Sequence, residues 1–375
     1  MPPMRPALPS EPPPAIPTLA IGRVGRAHGG RRHGGAARAG KGRIRLSRWA
    51  DERVAEWEGE AALSALASPA GGPGPKATLW IDLADPDPAM VARVGAVLGL
   101  HPLIAEDVVE GNQRAKIEVT AGLVHAVMFV LETGDEAADA ADASLSVRTR
   151  EVDIVLGDGF LLTSHPGSWD PRSGDHFRQG LGPIMRVGPD HLLWAIIDAI
   201  VDGYFPFADR LEDFIDRLQD DVVDRPTRRT LEQLFSLKRD LIAVRRAVSP
   251  VREILNQLTN RDLKLIDPEE VLYFRDIYDH VIRLADELDT DRELVAATVE
   301  IYLSTINNNL SVIMKRLTGV TVILAGIGAI AGIFGMSEAG LAFQGAEAGG
   351  FWLITAVVIA IAVGAALVLR RVDWI

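Results

Sequence analysis

The tripeptide Gly335-Met336-Ser337 stands where a long apolar run ends, and it is a candidate site for a cation. The last carbonyl groups of a helix have no partner within the helix and carry partial negative charge. A serine hydroxyl beside them adds a neutral oxygen that donates and accepts hydrogen bonds. The alternative is that Ser337 only caps the helix. Glu338 and Glu347 follow, and they would either concentrate cations at this mouth or simply be solvated.

Two long apolar runs flank this corner. Residues 317–336 and 351–369 are 20 and 19 residues long and contain no charged residue. At about 1.5 Å per residue, each run is roughly 30 Å long, which is the thickness of the hydrocarbon core of a bilayer. A buried helix of a soluble protein is seldom so long, and two in succession favour a pair of transmembrane helices.

The basic residues predict how these helices are oriented. Lys315 and Arg316 precede the first run, Arg370 and Arg371 follow the second, and the loop between them has neither Lys nor Arg. Positive residues stay on the cytoplasmic side of a membrane. We therefore expect a two-pass protein of the inner (plasma) membrane with both termini in the cytoplasm.

The start of the chain differs in composition from the rest. Residues 1–50 carry ten of the 39 basic residues and one acid, Glu11, among many Pro, Gly and Ala, which predicts a disordered basic arm. Without this arm the chain is strongly acidic, the reverse of what a nucleic-acid-binding protein requires. The chain has no cysteine, which excludes thiolate metal sites, disulfides and cysteine catalysis.

The sequence before the first apolar run predicts one very long helix. Asp267 and Pro268 favour a helix start, and no proline follows in the chain, so a single helix from Asp267 to Met336 would be about 100 Å long. Such a helix needs partners. Gly328 and Gly332, with Ala325 near them, would let identical helices approach closely. Packing of these small residues against the second apolar run is the alternative.

Upstream, the chain predicts an α+β cytosolic domain. Strand-like runs such as ATLWIDL alternate with short helices, and only helices follow from about residue 186. One of these helices has an acidic face, which is either solvated or a weak surface for divalent cations. No His-x-x-x-His pair and no Ser/His/Asp grouping is present, so we expect no enzyme.

Longer motifs resemble a known family of transporters. The segment YFRDIYDHVIRLADELDTDRELVAATVEIYLSTINNNLSVIMKRLT (273–318), followed by an apolar span ending in Gly-Met, resembles the stalk and first span of the CorA divalent-cation transporters. The amino-terminal domain and the tail of the same family are similar to three further segments of this chain: LWIDL, LGLHPLIAEDVVEGNQRAKIE and the terminal RRVDWI. The resemblance extends over roughly residues 77–375.

This resemblance implies a funnel-shaped homopentamer in the lipid bilayer, in which the long helix lines an axial pore for Mg²⁺, with Co²⁺ or Ni²⁺ as further substrates. Mg²⁺ would be both the transported and the regulatory ion, and no organic cofactor is implied. The family pattern places the selectivity ring at Gly335, Met336 and Ser337. Leu317 matches a position that forms a gate in the family, with simple packing between helices as the alternative. Met314 and Ser311 lie below it on a similar face of the helix, and Ala325, Gly328 and Gly332 would line the pore above. Regulatory cations would bind Glu106, Asp107 and Asp276 between subunits, although Asp276 could instead pair with Arg275 or Arg283.

The sequence departs from the family pattern at three points. Ser337 replaces the family's Asn, Gly326 stands where a proline is usual, and Ala115 replaces the Pro of a Gln-Arg-Pro-Lys stretch. These changes concern ion selectivity more than architecture. Two alternatives to a passive, membrane-potential-driven channel therefore stay open: a zinc transporter like the ZntB branch, and a membrane-anchored cation sensor that does not conduct.

The expected organisation follows from these segments. We predict an arm (1–50), a variable lead-in (51–76), an α/β domain (77–185) and a helical domain with the stalk (186–316). The membrane part then comprises a first transmembrane helix (317–336), an outer loop (337–350), a second transmembrane helix (351–369) and a tail (370–375).

Overall fold

The computed structural model describes residues 42–68, 72, 77–134, 146–260, 263–336 and 349–371. The strands in these ranges are β1 Arg43–Ala50, β2 Arg53–Glu58, β3 Thr78–Ala84, β4 Lys116–Thr120, β5 Leu123–Thr133, β6 Val147–Gly157 and β7 Phe160–His165. The α-helices are α1 Gly59–Leu66, α2 Pro88–Leu98, α3 Pro102–Glu110, α4 Leu181–Val187, α5 Pro189–Asp202, α6 Phe205–Asp224, α7 Arg228–Asn260, α8 Val271–Met336 and α9 Gly349–Arg371. Two short 3₁₀ helices, Pro171–Ser173 and Asp175–Gln179, precede α4.

The strands form one mixed sheet in the order β2-β1-β3-β7-β6-β5-β4. β3 and β7 are parallel, and the other neighbouring strands are antiparallel. Side chains alternate between the two faces of a strand. On β3, Leu79 and Ile81 pack with α1, α2 and α3, whereas Trp80 packs with the helices from α4 onwards. This part of the chain therefore has three layers, and the expected α+β domain is confirmed.

The expectation of disorder up to residue 50 is wrong for Arg43–Ala50, which forms β1 inside the sheet. Ile44 and Leu46 alternate with polar residues in this segment and are fully buried. Arg45 places its guanidinium 2.8 Å from the buried carboxylate of Asp82 and 2.9 Å from that of Asp170. Arg43 and Arg45 thus lie on the side of this regular strand opposite to Ile44 and Leu46. Residues 1–41 lie outside the described ranges.

One further boundary differs from the expectation. The region 51–76 was expected to be a lead-in and linker, but it contributes β2 and α1 to the fold. The helix α2 is capped by Asp87, whose Oδ1 accepts a hydrogen bond from the backbone amide of Met90 at 2.7 Å. Pro88 then occupies the first turn, where its missing N–H costs nothing.

The very long helix is present as α8, 66 residues without a break. It begins at Val271 instead of Asp267, because the Glu270 carboxylate bonds Nδ1 of His191 at 2.8 Å instead of capping the helix. The first half of α8 packs against α6 and α7. Its buried side chains follow helical spacing and include Phe274, Ile277, Val281, Leu284 and Leu288.

An acidic group forms where α6 and α8 meet. Asp291 on α8 is 4% exposed, and its Oδ2 has no hydrogen-bond partner among the described residues. Burial, together with the charges of Glu287, Glu212 and Asp216, raises the pKa of Asp291 from 3.8 to about 6. Part of the acidic face expected on α6 therefore lies near α8, where its exposed acids Glu212 and Asp216 act on Asp291.

We predict that Asp291→Asn stabilises the cytosolic domain at neutral pH. A carboxyl whose pKa is raised by folding favours the folded state most below pH 4, and that contribution is lost as the pH rises towards 6. The asparagine variant should thus gain about 1–2 kcal/mol at pH 7 and little at pH 4. Thermal unfolding of the full chain at the two pH values measures this. Asp213→Asn, which removes an exposed acid from α6, is the control, and an equal gain there would contradict the prediction.

Candidate functional site

The residues expected to line a pore lie along one side of α8. At about 100° per residue, the six positions fall within an arc of roughly 120° on the helix surface. Each of them is exposed in the single chain. A Cβ built on Gly328 or Gly332 would meet no atom within 4 Å. This stripe, which we call the α8 stripe, comprises Ser311, Met314, Leu317, Ala325, Gly328 and Gly332.

Two polar residues of the stripe were missed by the sequence analysis. Asn307 and Thr321 lie on the same arc and are exposed. The backbone carbonyl of Asn307 accepts a hydrogen bond from the Ser311 hydroxyl at 2.9 Å. The Thr321 hydroxyl donates to the carbonyl of Leu317 at 2.8 Å, which leaves its own oxygen lone pairs directed away from the backbone. Extending the helical periodicity over the whole of α8 would have found both residues.

The expected selectivity corner lies at the end of the stripe. Gly335 and Met336 are the last two residues of α8. Ser337, Glu338 and Glu347 lie outside the described residues, so their roles stay predictions.

Two helical segments among the described residues are apolar and long enough to cross a membrane, and their burial distinguishes them. In Pro189–Asp224, which covers α5 and α6, the apolar window is 56% buried, as expected of a core segment. In Val271–Gly332 of α8 it is only 6% buried. α9 is a second apolar helix of 23 residues, with charges only at Arg370 and Arg371. The end of α8, together with α9, therefore needs a nonaqueous surrounding.

The cytosolic acids expected to bind cations lie on two different elements. Glu106 and Asp107 are on α3, and Asp276 is on α8, where it is exposed. α8 packs mainly against α5, α6, α7 and α9, and α3 is not among its main neighbours. One subunit thus does not bring Asp276 to the α3 acids. Within the described ranges Asp276 has no ion pair, and neither Arg275 nor Arg283 pairs with it.

Asp107 already has a cationic partner in its own chain. The ammonium of Lys116, at the start of β4, lies 2.9 Å from Asp107 Oδ2 and 3.3 Å from Glu118 Oε1. This contact was not foreseen, because α3 and β4 are placed together only by the fold.

Glu151 on β6 lies beside this group. Its Oε2 accepts a hydrogen bond from the backbone N–H of Gln113 at 2.9 Å, whereas Oε1 is buried without a partner in the described part of the chain. Burial raises the pKa of Glu151 to about 7, and the charges of Asp153 and Asp107 add to this effect. The edge of the sheet next to α3 is therefore a partly buried, electronegative region.

Comparison with known proteins identifies the family. The family model described as "CorA-like Mg2+ transporter protein" matches residues 75–371. The chain belongs to the CorA family. As a CorA-family chain it is a membrane transporter of metal ions and not an enzyme.

One curated relative supports this assignment, and two solved structures share the fold. The cobalt/magnesium transport protein CorA of Thermotoga maritima is 34% identical over 256 residues, covering 66% of this chain and 69% of the relative. The complete structure of the CorA magnesium transporter from Methanocaldococcus jannaschii matches with a TM-score of 0.73 at 22% identity, covering 88% and 98% of the two chains. The ZntB cytoplasmic domain from Vibrio parahaemolyticus matches at 0.52 and 12% identity, covering 72% and 99%.

We predict that Gly328, which lies near one edge of the α8 stripe, packs against a neighbouring copy of α8 beside the pore-lining side. Gly328→Leu should weaken assembly by about 1–2 kcal/mol per interface, roughly a tenfold change, because close helix approach requires a small residue there. Gly326→Leu is the matched control: Gly326 is equally open, with nothing within 4 Å of a Cβ, but lies on a different side of α8. Light scattering of detergent-solubilised protein over a concentration series measures both. Equal behaviour of the two variants would contradict the prediction.

Proposed function

We propose that five copies of this CorA-family chain surround an axial path along the α8 stripe, through which hydrated Mg²⁺, and also Co²⁺ or Ni²⁺, passes into the cytosol. The observation that carries this proposal is α8 itself. It is one unbroken helix whose first half packs in the cytosolic domain and whose apolar end is almost wholly uncovered. Mg²⁺ and Co²⁺ are the ions in the name of the Thermotoga maritima relative.

Hydrated Mg²⁺ suits such a path. Mg²⁺ holds a shell of six oxygens and loses water reluctantly. Neutral oxygens of the protein can therefore hydrogen-bond to the water shell of the ion without removing its water. Five Ser337 hydroxyls beside the ends of five α8 helices would form such a ring at the mouth. A serine ring is wider than an asparagine ring and would hold the hydration shell less firmly. Glu338 and Glu347 would raise the local concentration of cations.

The driving force is the membrane potential. A divalent ion that crosses 100 mV gains about 4.6 kcal/mol, at roughly 2.3 kcal/mol per charge. This supports an inward accumulation of about two-thousandfold, so uptake needs no ATP. The orientation that fits has both termini in the cytoplasm, with Lys315, Arg316, Arg370 and Arg371 on the inner side.

Such a gradient requires a closed state. Leu317 lies near the cytosolic end of the membrane segment of α8, and a ring of five leucines would block the path by dewetting. We expect Mg²⁺ to bind between Asp276 of one subunit and Glu106 and Asp107 of the next. The bound ion would neutralise the repulsion between these carboxylates and so hold the subunits in the closed arrangement. Their separation within one chain supports a site shared between subunits. A rise in cytosolic Mg²⁺ would thus reduce uptake.

We predict that full-length protein in liposomes takes up Mg²⁺ when the inside is made negative, and that Ser337→Asn changes the uptake. The asparagine ring should hold the hydrated ion more firmly, so the concentration of Mg²⁺ at half-maximal uptake should fall several-fold. Ser337→Ala, which removes the oxygen at nearly constant size, should raise it.

Three outcomes would count against parts of this proposal. If both Ser337 variants behave as the wild type, Ser337 is not the selectivity ring. Zinc uptake that requires a proton gradient would favour the ZntB-like alternative. Liposomes that bind Mg²⁺ but show no flux would favour a non-conducting sensor.

A further inference from the structure

Three side chains of types that bind metals converge at the sheet edge beneath α3. One ring nitrogen of His125 and one carboxylate oxygen each of Asp107 and Glu118 all lie within 4.8 Å of one another. Glu118 on β4 pairs directly with His125 on β5, so both side chains point to the same face of the sheet. α3 supplies Asp107 from above that face. Three separate elements of one subunit thus direct ligand atoms to one point.

The hydrogen bonding of His125 is that of a histidine prepared to bind a metal. Its side chain is fully buried, and Nε2 lies 2.9 Å from Oδ1 of Asp153 on β6, a side chain that is 5% exposed. Donation from Nε2 to this carboxylate leaves a lone pair on Nδ1. That nitrogen is buried and has no hydrogen-bond partner in the described part of the chain. Histidines that bind metals commonly donate their other ring N–H to a carboxylate in this way.

An ammonium group already lies in this cluster. Lys116 Nζ contacts the carboxylates of both Asp107 and Glu118. One lysine balances only one of the two negative charges of these carboxylates. Glu151 lies nearby and adds to the negative potential. The lysine extends from the first residue of the edge strand β4, and its flexible four-carbon stem allows the head group to move into solvent.

We propose that Asp107, Glu118 and His125 of a single subunit form a binding site for a transition-metal dication of the Co²⁺, Ni²⁺ or Zn²⁺ class, and that the Lys116 ammonium fills it when no such ion is bound. The ligands of an ion of this class lie about 2.0–2.2 Å from it. The three ligand atoms, which lie within 4.8 Å of one another, would close around such an ion by rotation of their side chains. One imidazole and two carboxylates favour these ions over Mg²⁺, which prefers oxygen ligands and retains its water.

The site shares Asp107 with the regulatory site proposed above. A bound transition metal would withdraw this carboxylate from the contact with Asp276 of a neighbouring subunit, so these ions and Mg²⁺ would act differently on gating. That consequence rests on the proposed function, whereas the binding itself does not. Binding is therefore measured directly, without any transport assay.

The test is a titration of full-length, detergent-solubilised protein with Co²⁺ in a large excess of Mg²⁺, followed by the visible absorption of bound Co²⁺. Mg²⁺ fills sites made only of oxygen, and the remaining signal should saturate at one Co²⁺ per chain. Glu118→Gln, at a half-exposed position that does not threaten the fold, should weaken binding by at least about tenfold. Lys116→Met should strengthen it by about tenfold, because the competing ammonium is gone.

Two controls separate this site from others. Glu110→Gln removes an exposed acid from the end of α3, and Asp276→Asn removes the acid on α8; both should leave Co²⁺ binding unchanged. The proposal is overturned if the wild type binds no Co²⁺ in excess Mg²⁺ or if Glu118→Gln and Lys116→Met both match the wild type. Loss of binding in Asp276→Asn would also overturn it, since the signal would then come from a site shared between subunits.

Discussion

The structure depends on one constraint, which is that a single chain cannot cover its longest helix. α8 is buried by α6 and α7 over its first half, but its apolar end is almost entirely exposed. At about 25 cal/mol per Å² of apolar surface, leaving such a helix in water is prohibitively unfavourable. Lipid can cover one side of it, and the α8 stripe, with its small and polar residues, is the side that lipid suits least. Copies of the same helix around a common axis would turn that side towards a shared path.

The domain that packs on the first half of α8 places charge around this helix in two distinct ways. On α6 and α8, several acids lie close together, and burial together with their mutual repulsion raises the pKa of Asp291. At the sheet edge under α3, Lys116 compensates Asp107 and Glu118 within the same subunit. The first arrangement favours any cation that approaches. The second requires an incoming cation to displace one that is already present, which raises the concentration at which it binds.

The sequence predicted the elements that depend on local pattern. The strand at ATLWIDL and the length of α8 both follow from periodicity and from the positions of Gly and Pro. β1 was missed because its arginines outweigh its two buried aliphatic residues in composition, although Ile44 and Leu46 alternate as a strand requires. The contacts of Lys116 and His125 join segments separated by turns and helices, and no local pattern encodes them. Asn307 and Thr321 were missed although the helical period contains them.

The central claim is that the α8 stripe faces a water-filled path, and a single-cysteine comparison tests it most directly, because the natural chain has no cysteine. Met314→Cys lies on the stripe, whereas Val320→Cys lies on another side of α8; both native side chains are about half exposed in one chain. Each full-length variant is placed in liposomes and treated with a charged, water-soluble thiol reagent while Mg²⁺ uptake is recorded. The account predicts that the reagent stops uptake through Met314→Cys and leaves Val320→Cys unaffected. Block of Val320→Cys alone, or of neither variant despite active uptake, would contradict it.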